Sequence, residues 1–285
     1  MNYTTLISVE QLTALQASGA PLTVFDCSFD LMKPAAGEAA YTESHISGAV
    51  YVHLDRDLSD KSGAGVNGGR HPLPTREKFA AWLGRVGFSN DQQAVVYDRQ
   101  GANYCGRLWW MLKWVGHENA AVLDGGLEAW YGAGGVVTTG AGTRHAPHVF
   151  QPGAPRAELR VTAEVAERLG RPGQNIIDAR APARFRGEVE PLDPVAGHIP
   201  GALNRPFGSN IGPNGRFKSA ATLKAEFLEL LAGRDPATVV HHCGSGVSAV
   251  PNIIAMEVAG LGRQALYAGS WSEWCSNPAR PVAQG

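Results

Sequence analysis

The chain repeats one series of sequence signals, once in each half. The matching strings are, in chain order, Val-Phe-Asp at residues 24–26 with Ile-Ile-Asp at 176–178, His-Ile-Ser-Gly-Ala at 45–49 with His-Ile-Pro-Gly-Ala at 198–202, and Asp-Gly-Gly-Leu-Glu-Ala-Trp at 124–130 with Tyr-Ala-Gly-Ser-Trp-Ser-Glu-Trp at 267–274. Each pair is separated by about half the chain length, whereas solenoid repeats recur roughly every 20–50 residues. The repeat therefore predicts two tandem copies of one domain.

Both copies alternate apolar, β-branched runs with helical patterns. In the first copy, a helical pattern at residues 75–83 precedes a buried-strand pattern at residues 94–97. Such alternation predicts an α/β fold in which each domain is a mainly parallel sheet with helices on both faces. A length of 285 residues and a hydrophobic content of 44% are sufficient for two cores.

A stretch without periodicity separates the two copies. Residues 138–156 are rich in Gly, Pro and Thr, which is typical of a linker. We therefore predict an N-terminal domain at residues 1–137, a linker at residues 138–156 and a C-terminal domain at residues 157–285.

The charge balance limits the class of partner. A net charge of −1 provides no basic field, so composition does not support binding to nucleic acid or to an anionic membrane. No stretch approaches the ~18 consecutive apolar residues of a membrane span, and residues 1–5 lack the features of a signal peptide. These features predict a soluble cytoplasmic protein whose partners are small molecules or other proteins.

The four cysteines, Cys27, Cys105, Cys243 and Cys275, are scattered and form no Cys-x-x-Cys pair. This spacing indicates neither a zinc site nor a disulfide framework. Two histidines directly precede Cys243, but neighbouring residues on a strand point to opposite faces. We therefore expect no metal site.

Cys243 begins a glycine-containing loop between the end of a predicted strand at residues 238–240 and a helical pattern at residues 247–258. Glycines at such a switch allow consecutive backbone N–H groups to turn toward one centre, and the next helix directs its positive dipole end there. A thiol in this position ionises easily and becomes a nucleophile. The alternative is a small buried apolar Cys, to which two glycines and two serines in the next five residues are poorly suited.

The repeat offers a comparison for this loop. The two late Trp-containing strings, at residues 124–130 and 267–274, align with a fixed residue offset. The same offset applied to the loop places Arg99 opposite Cys243, and Asp98 opposite His242. Cys105 then falls opposite Ala249, inside the helix. The first copy therefore lacks a nucleophile in its loop, so we predict a catalytic C-terminal domain and a supporting N-terminal domain.

A ring of N–H donors around a thiolate suits attack either on phosphorus or on sulfur. Cysteine-dependent phosphatases place an arginine six residues after the cysteine, where a guanidinium matches the phosphate oxygens. Ala249 occupies that position here, and residues 244–249 contain no basic side chain. A persulfide needs only close donors and a compact pocket, so sulfur transfer is the favoured chemistry.

Taken together, the tandem copies, the His-Ile-Pro-Gly-Ala and Ser-Trp-Ser-Glu-Trp strings, and Cys-Gly-Ser-Gly-Val at residues 243–247 resemble the two-domain rhodanese family of sulfurtransferases over nearly the whole chain. The resemblance implies a ping-pong reaction in which Cys243 takes a sulfur from a donor and passes it to cyanide or to a thiol such as glutathione or thioredoxin. It implies no metal and no organic cofactor.

The loop is similar to that of the family members that use 3-mercaptopyruvate and release pyruvate, whereas members that use thiosulfate carry Arg or Lys within it. An uncharged loop also favours the less charged donor on electrostatic grounds. Thiosulfate is the alternative donor. A non-catalytic module that binds anions or sulfur is a further alternative, because fold alone does not establish activity.

The resemblance also implies roles for individual residues. The resemblance implies that the loop holding the persulfide, called the cradle below, consists of Gly244, Ser245, Gly246, Val247 and Ser248. Ser245 matches a serine that relays a proton together with a histidine and an aspartate, so that the leaving group is protonated as the S–S bond forms. His71 matches the histidine, and Asp55 is the best match to the acid, with Asp57 and Asp60 as competitors.

Donor binding is implied for an arginine near the end of the second copy's first strand. Arg184, before Phe185, matches the substrate-binding arginine of the family. The family's second arginine, in a Pro-Glu-Pro-Arg stretch, is missing from residues 188–194. Arg186 is a candidate substitute.

Overall fold

A computed structural model describes residues 2–143 and 145–285. The chain divides into two compact units of discontinuous sequence. Unit 1 contains Met1–Ser59, Pro74–Arg156 and Ile211–Phe217, of which Met1 and Arg144 lie outside the described residues. Unit 2 contains Asp60–Leu73, Ala157–Asn210 and Lys218–Gly285.

Unit 1 contains seven strands and six helices among its described residues. They are, in chain order, β1 (Leu6–Ile7), α1 (Val9–Ala17), β2 (Leu22–Asp26), α2 (Ala35–Glu43), β3 (His45–Ile46), β4 (Val50–Tyr51), α3 (Leu54–Asp57), α4 (Arg76–Arg85), β5 (Gln93–Tyr97), α5 (Cys105–Trp114), β6 (Ala120–Leu123), α6 (Gly126–Gly132) and β7 (Val137–Thr138).

Five of these strands form one parallel sheet in the order β1-β6-β5-β2-β4, and β3 pairs with β7 in a small antiparallel ribbon. All five residues of β5, the central strand, are buried. A strand with both faces covered favours an uninterrupted apolar run, which Ala94 to Val96 provide. Apolar side chains from β1, α1, β2, β5 and β6 pack together in the core of this unit.

Unit 2 repeats the plan with five strands. Its elements are β8 (Leu159–Arg160), α7 (Thr162–Glu167), β9 (Asn175–Asp178), α8 (Pro182–Phe185), β10 (Leu203–Asn204), a 3-10 turn at Phe207–Asn210, α9 (Ala220–Leu231), a 3-10 turn at Pro236–Thr238, β11 (Val239–His242), α10 (Val250–Val258), β12 (Ala265–Tyr267) and α11 (Ser270–Trp274).

The sheet of unit 2 is also parallel, in the order β10-β9-β11-β12-β8. Its central strand, β11, is buried along its whole length. The core includes Val165, Ile176, Val240, Trp271 and Trp274. The prediction of two tandem α/β domains, each built on a parallel sheet, is confirmed.

The bounds of the units differ from a simple division of the chain into two halves. Residues 60–73, which the sequence places in the N-terminal domain, belong to unit 2, and residues 211–217 belong to unit 1. The predicted linker, residues 138–156, is held within unit 1 by backbone hydrogen bonds. Its N–H groups at His148, Gly153 and Arg156 donate to carbonyl groups of unit 1 at 2.8–2.9 Å.

The helix after the central strand of unit 2 is buried over most of its length. In α10, every residue from Val250 to Met256 is buried, as expected for a helix enclosed by its own domain. Pro251 lies in its first turn, where a missing N–H costs no intrahelical hydrogen bond. None of the helices in residues 2–143 and 145–285 combines the length and the apolar character that crossing a membrane requires.

The strand pairing corrects the predicted register of the two central loops. Tyr97 at the end of β5 pairs with Asp26, and His242 at the end of β11 pairs with Asp178 in the same way. The residue after Tyr97 is Asp98, so Asp98 and not Arg99 is the counterpart of Cys243. Alignment on the late Trp-containing strings misplaces the loop by one residue. The reason is that the residue spacing between the central strand and the strand that follows it in the chain, β5 to β6 and β11 to β12, differs by one residue between the units. Cys105 begins α5 and therefore matches Val250.

Asp98 fills the loop of unit 1 with its own carboxylate. Its Oδ1 accepts the N–H groups of Gln100 and Ala102 at 2.9 and 3.0 Å, and its Oδ2 accepts those of Tyr104 and Cys105 at 2.8 and 2.9 Å. Asp98 is 2% exposed. A buried N–H group without an acceptor costs free energy, so this loop is an anion cradle whose anion is part of the chain.

We expect Asp98→Ala to lower the free energy of unfolding by roughly 3 kcal/mol, because it leaves four N–H groups without their acceptor. Urea unfolding followed by circular dichroism measures the change. The matched control is Asp91→Ala, whose exposed carboxylate accepts a side-chain hydrogen bond from Ser89. Equal unfolding midpoints for the two variants would contradict the cradle.

Candidate active site

Cys243 follows β11 directly and begins the loop at residues 243–249. The following helix, α10, begins at Val250, three residues later than the apolar pattern predicts. The thiol residue is 2% exposed. Cys243 therefore lies at the carboxyl end of the central strand, where parallel α/β sheets place their ligand sites.

Contacts with α11 hold the loop backbone in place. The Cys243 N–H donates to Oγ of Ser270 at 3.1 Å. The Cys243 carbonyl accepts the N–H of Trp271 at 3.0 Å, and the Gly244 carbonyl accepts the N–H of Ser272 at 2.9 Å. Because both carbonyl groups bind α11, the first two peptide groups of the loop are fixed in orientation.

Three N–H groups of this loop are left for an anion. By the corrected register, the four N–H groups that Asp98 binds in unit 1 correspond to those of Ser245, Val247, Ala249 and Val250 in unit 2. The Val250 N–H donates to the Val247 carbonyl at 3.1 Å. In the part of the chain that the structure describes, the other three meet no acceptor, although all three residues are buried. An anion on Cys243 would provide the acceptor that Asp98 provides in unit 1.

Gly246 allows the loop to turn. Its φ is +74°, and a Cβ there would lie 2.2 Å from the carbonyl oxygen of Ala268. Only glycine accommodates both the left-handed backbone and this close approach. Ser248 lies in the same loop and is partly exposed.

The other three cysteines are protected thiols. Burial raises the pKa of Cys27 and of Cys105 well above the ordinary thiol value, and burial also raises the pKa of Cys275. Thiols that stay protonated are poor nucleophiles. Cys243 is the cysteine that begins a loop in which, among the described residues, three N–H groups meet no acceptor.

The structure brings two of the predicted site residues together. His71 belongs to unit 2, and its Nδ1 lies 2.7 Å from Oγ of Ser245. Both residues are buried, at 3% and 6% exposure. A histidine bonded to a serine at the edge of the cradle is able to hold or move a proton there.

The three candidate acids fall in different units. Asp55 and Asp57 lie in α3 of unit 1, whereas Asp60 belongs to unit 2 together with His71. The Asp60 N–H donates to the Pro72 carbonyl at 2.8 Å, and Asp60 is 3% exposed. Of the three candidates, Asp60 is therefore the one that lies in the same unit as His71 and is hydrogen-bonded to the residue after it.

Two arginines approach the loop beside Cys243. A Cβ on Gly244 would lie 2.6 Å from Nη2 of Arg70 and 3.5 Å from Nη1 of Arg184. Arg186 points elsewhere: it is exposed, and its guanidinium is bonded to Glu188 at 2.6 and 3.0 Å. Sequence reasoning selected Arg184 and missed Arg70, although Arg70 directly precedes His71.

The two histidines before Cys243 are buried core residues. Burial lowers the pKa of His241 to about 3 and also lowers the pKa of His242. Nε2 of His241 lies 3.2 Å from Sδ of Met256, and Nδ1 of His242 lies 3.1 Å from the Cys243 carbonyl oxygen. Among the described residues, no three histidine, cysteine or acidic side chains are grouped as metal ligands.

The rhodanese-like domain model matches residues 8–133 and 161–277. The chain is 45% identical over 287 residues, and over the full length of both proteins, to a probable 3-mercaptopyruvate sulfurtransferase from Pseudomonas aeruginosa. It is 41% identical to the putative thiosulfate sulfurtransferase SseB from Mycobacterium tuberculosis, over 98% of this chain and 97% of that protein.

Among solved structures, 3-mercaptopyruvate sulfurtransferase from Leishmania major matches with a TM-score of 0.82 and 28% sequence identity, over 96% of this chain and 74% of that chain. The two domain matches correspond to the two parallel-sheet units, and the relatives extend over nearly the whole chain. The chain therefore belongs to the two-domain rhodanese family and is a sulfurtransferase.

Proposed function

We propose that this enzyme moves a sulfane sulfur from 3-mercaptopyruvate, through a persulfide on Cys243, to a thiol or cyanide acceptor and releases pyruvate. The observation that carries the proposal is that the N–H groups of Ser245, Val247 and Ala249 meet no acceptor among the described residues. Unit 1 closes the equivalent loop with the Asp98 carboxylate, whereas unit 2 has a thiol at the same position.

The cradle stabilises a sulfur anion at two stages. It first stabilises the Cys243 thiolate, and after transfer it stabilises the terminal sulfur of the persulfide. Ala249 occupies the position at which cysteine-dependent phosphatases carry the arginine of the loop itself, which disfavours phosphoryl transfer.

In the first half-reaction, the Cys243 thiolate attacks the sulfur of 3-mercaptopyruvate. An S–S bond forms, the C–S bond breaks, and its electron pair goes to carbon as the enolate of pyruvate. Protonation of that enolate gives pyruvate. In the second half-reaction, the acceptor attacks the terminal sulfur and the Cys243 thiolate leaves.

His71 and Ser245 deliver the proton in this scheme. Their 2.7 Å contact supports a relay in which Ser245 passes a proton toward the enolate and His71 replaces it. We assign the supporting acid to Asp60 rather than Asp55, because Asp60 shares unit 2 and a backbone hydrogen bond to Pro72 with the histidine segment.

Arg184 and Arg70 bind the donor carboxylate. Both guanidinium groups approach Gly244, next to the nucleophile, and a guanidinium matches a carboxylate geometrically. Arg70 replaces the family arginine that the sequence lacks, in place of Arg186, whose guanidinium is bonded to Glu188.

Thiosulfate is the second candidate donor, because a relative at 41% identity is named a putative thiosulfate sulfurtransferase and two cationic side chains approach the loop.

A thiol acceptor such as thioredoxin completes the cycle. Four free cysteines fit a reducing compartment, which supports location in the cytoplasm.

We expect Cys243→Ser to reduce sulfur transfer from both donors roughly a thousand-fold, since the hydroxyl cannot carry the sulfur. Pyruvate release from 3-mercaptopyruvate and thiocyanate formation from thiosulfate and cyanide measure activity. Mass spectrometry after donor addition detects one extra sulfur on wild type. Cys275→Ser is the control and keeps activity. Full transfer by Cys243→Ser would disprove the persulfide route.

We expect Ser245→Ala to lower kcat with 3-mercaptopyruvate about a hundred-fold, and to lower kcat with thiosulfate much less, because sulfite leaves without needing a proton. His71→Asn gives a similar loss, and the double variant adds little to either single change if the pair acts as one relay. Equal losses with both donors would argue instead for a structural role.

We expect Gly244→Ala to raise the KM for 3-mercaptopyruvate about ten-fold, because the new methyl group displaces the Arg70 guanidinium. Steady-state pyruvate release measures this change. Gly208→Ala is the control, since a Cβ at that position meets open space and its backbone accepts any residue. An unchanged KM for Gly244→Ala would remove Arg70 from the donor site.

A further inference from the structure

Asp193 lies between the two arginines that approach the nucleophile. Its Oδ1 accepts a hydrogen bond from Nη1 of Arg70, and its Oδ2 lies 3.3 Å from Nη2 of Arg184. The Asp193 side chain is 3% exposed, whereas the Arg70 and Arg184 side chains are 24% and 16% exposed. One buried carboxylate thus neutralises part of the charge at both arginines.

The Asp193 carboxylate is held in position by its own loop. Oε1 of Glu190 accepts the N–H groups of Leu192 and Asp193 at 3.0 and 3.2 Å. The same glutamate binds Arg184 at 2.6 Å and Arg180 at 3.3 Å. The loop at residues 190–193 is therefore fastened to the arginines that it neutralises.

Among the described residues, each of the two arginines has a guanidinium nitrogen near Gly244 that meets no acceptor. Nη2 of Arg70 and Nη1 of Arg184 both face the position of a Cβ on Gly244. Within the described part of the chain, the buried Nε of Arg70 meets no acceptor. These nitrogens are able to bind the two oxygens of one carboxylate while Asp193 keeps its own contacts.

The formal charges around this position balance. Three arginines and three carboxylates are linked by ion pairs: Arg70, Arg180, Arg184, Asp178, Glu190 and Asp193. Three of each sign leave no net positive charge. A ligand with one negative charge gains hydrogen bonds there, whereas a second negative charge meets the Asp193 carboxylate without a compensating cation.

We propose that Asp193 is a specificity-determining residue: its carboxylate, placed between Arg70 and Arg184, selects a monoanionic sulfur donor and disfavours a dianionic one. This inference rests on the proposed donor and goes beyond it, because it names the group that separates 3-mercaptopyruvate from thiosulfate. The loop after Cys243 is uncharged, so selection by charge depends on how strongly the neighbouring arginines are neutralised.

The test compares both donors in Asp193→Asn, which removes the charge and keeps the shape. The ratio of kcat/KM for thiosulfate to kcat/KM for 3-mercaptopyruvate rises about ten-fold or more, and the rise becomes smaller with added sodium chloride because screening weakens it. Asp193→Glu restores the charge and returns the ratio toward wild type. Asp193→Ala removes the same charge and is the substitute test variant if Asp193→Asn does not fold.

The matched control is Glu188→Gln, which removes one negative charge from the adjacent segment. Glu188 is 53% exposed and pairs with Arg186, away from Gly244, so the donor ratio stays at the wild-type value. An equal rise in Glu188→Gln would indicate a long-range effect of net charge and would overturn the role of Asp193.

A second readout does not depend on turnover. Pyruvate and sulfate are a monoanion and a dianion, and protection of Cys243 from iodoacetamide measures their binding. Asp193→Asn strengthens protection by sulfate more than protection by pyruvate. If neither protection nor the donor ratio changes, the inference fails. If wild type releases no pyruvate from 3-mercaptopyruvate, the proposed function fails, and the protection measurement still decides the role of Asp193.

Discussion

The need to satisfy buried backbone N–H groups governs the loop at the end of the central strand in both units. In unit 1 the Asp98 carboxylate accepts four of them and closes the cradle permanently. In unit 2 the counterpart is Cys243, and three of the equivalent N–H groups are open among the described residues. One fold thus gives a structural loop or a candidate reactive loop, depending on whether the residue after the strand supplies a fixed anion.

The charge that acts on this loop comes from outside it. Residues 244–249 are uncharged, but Arg70 and Arg184 approach Gly244, and Asp193 and Glu190 neutralise them in turn. Gly244 matters because a side chain there would displace the Arg70 guanidinium. We therefore infer that donor preference depends on this ion-pair network as well as on the sequence of the loop.

Much of the fold was predictable, because hydrophobic periodicity and an internal repeat are written directly in the sequence. The tandem α/β units and the strand-loop-helix setting of Cys243 follow from them. The register between copies was wrong by one residue, since it was carried from the late Trp-containing strings across a place where the spacing changes. Strand pairing corrected it and identified Asp98 as the counterpart of Cys243.

The sequence by itself determined the nucleophile candidate, the glycine turn and the family, because these depend on residues that are neighbours in the chain. Only the tertiary structure decided which distant residues surround the loop: His71 on Ser245, Arg70 against Gly244 and Asp193 between the arginines. It also placed Asp60, not Asp55, in the unit of His71. The contacts of Arg70 and His71 join segments more than a hundred residues apart, and no local pattern encodes a hydrogen bond or an ion pair over such a separation.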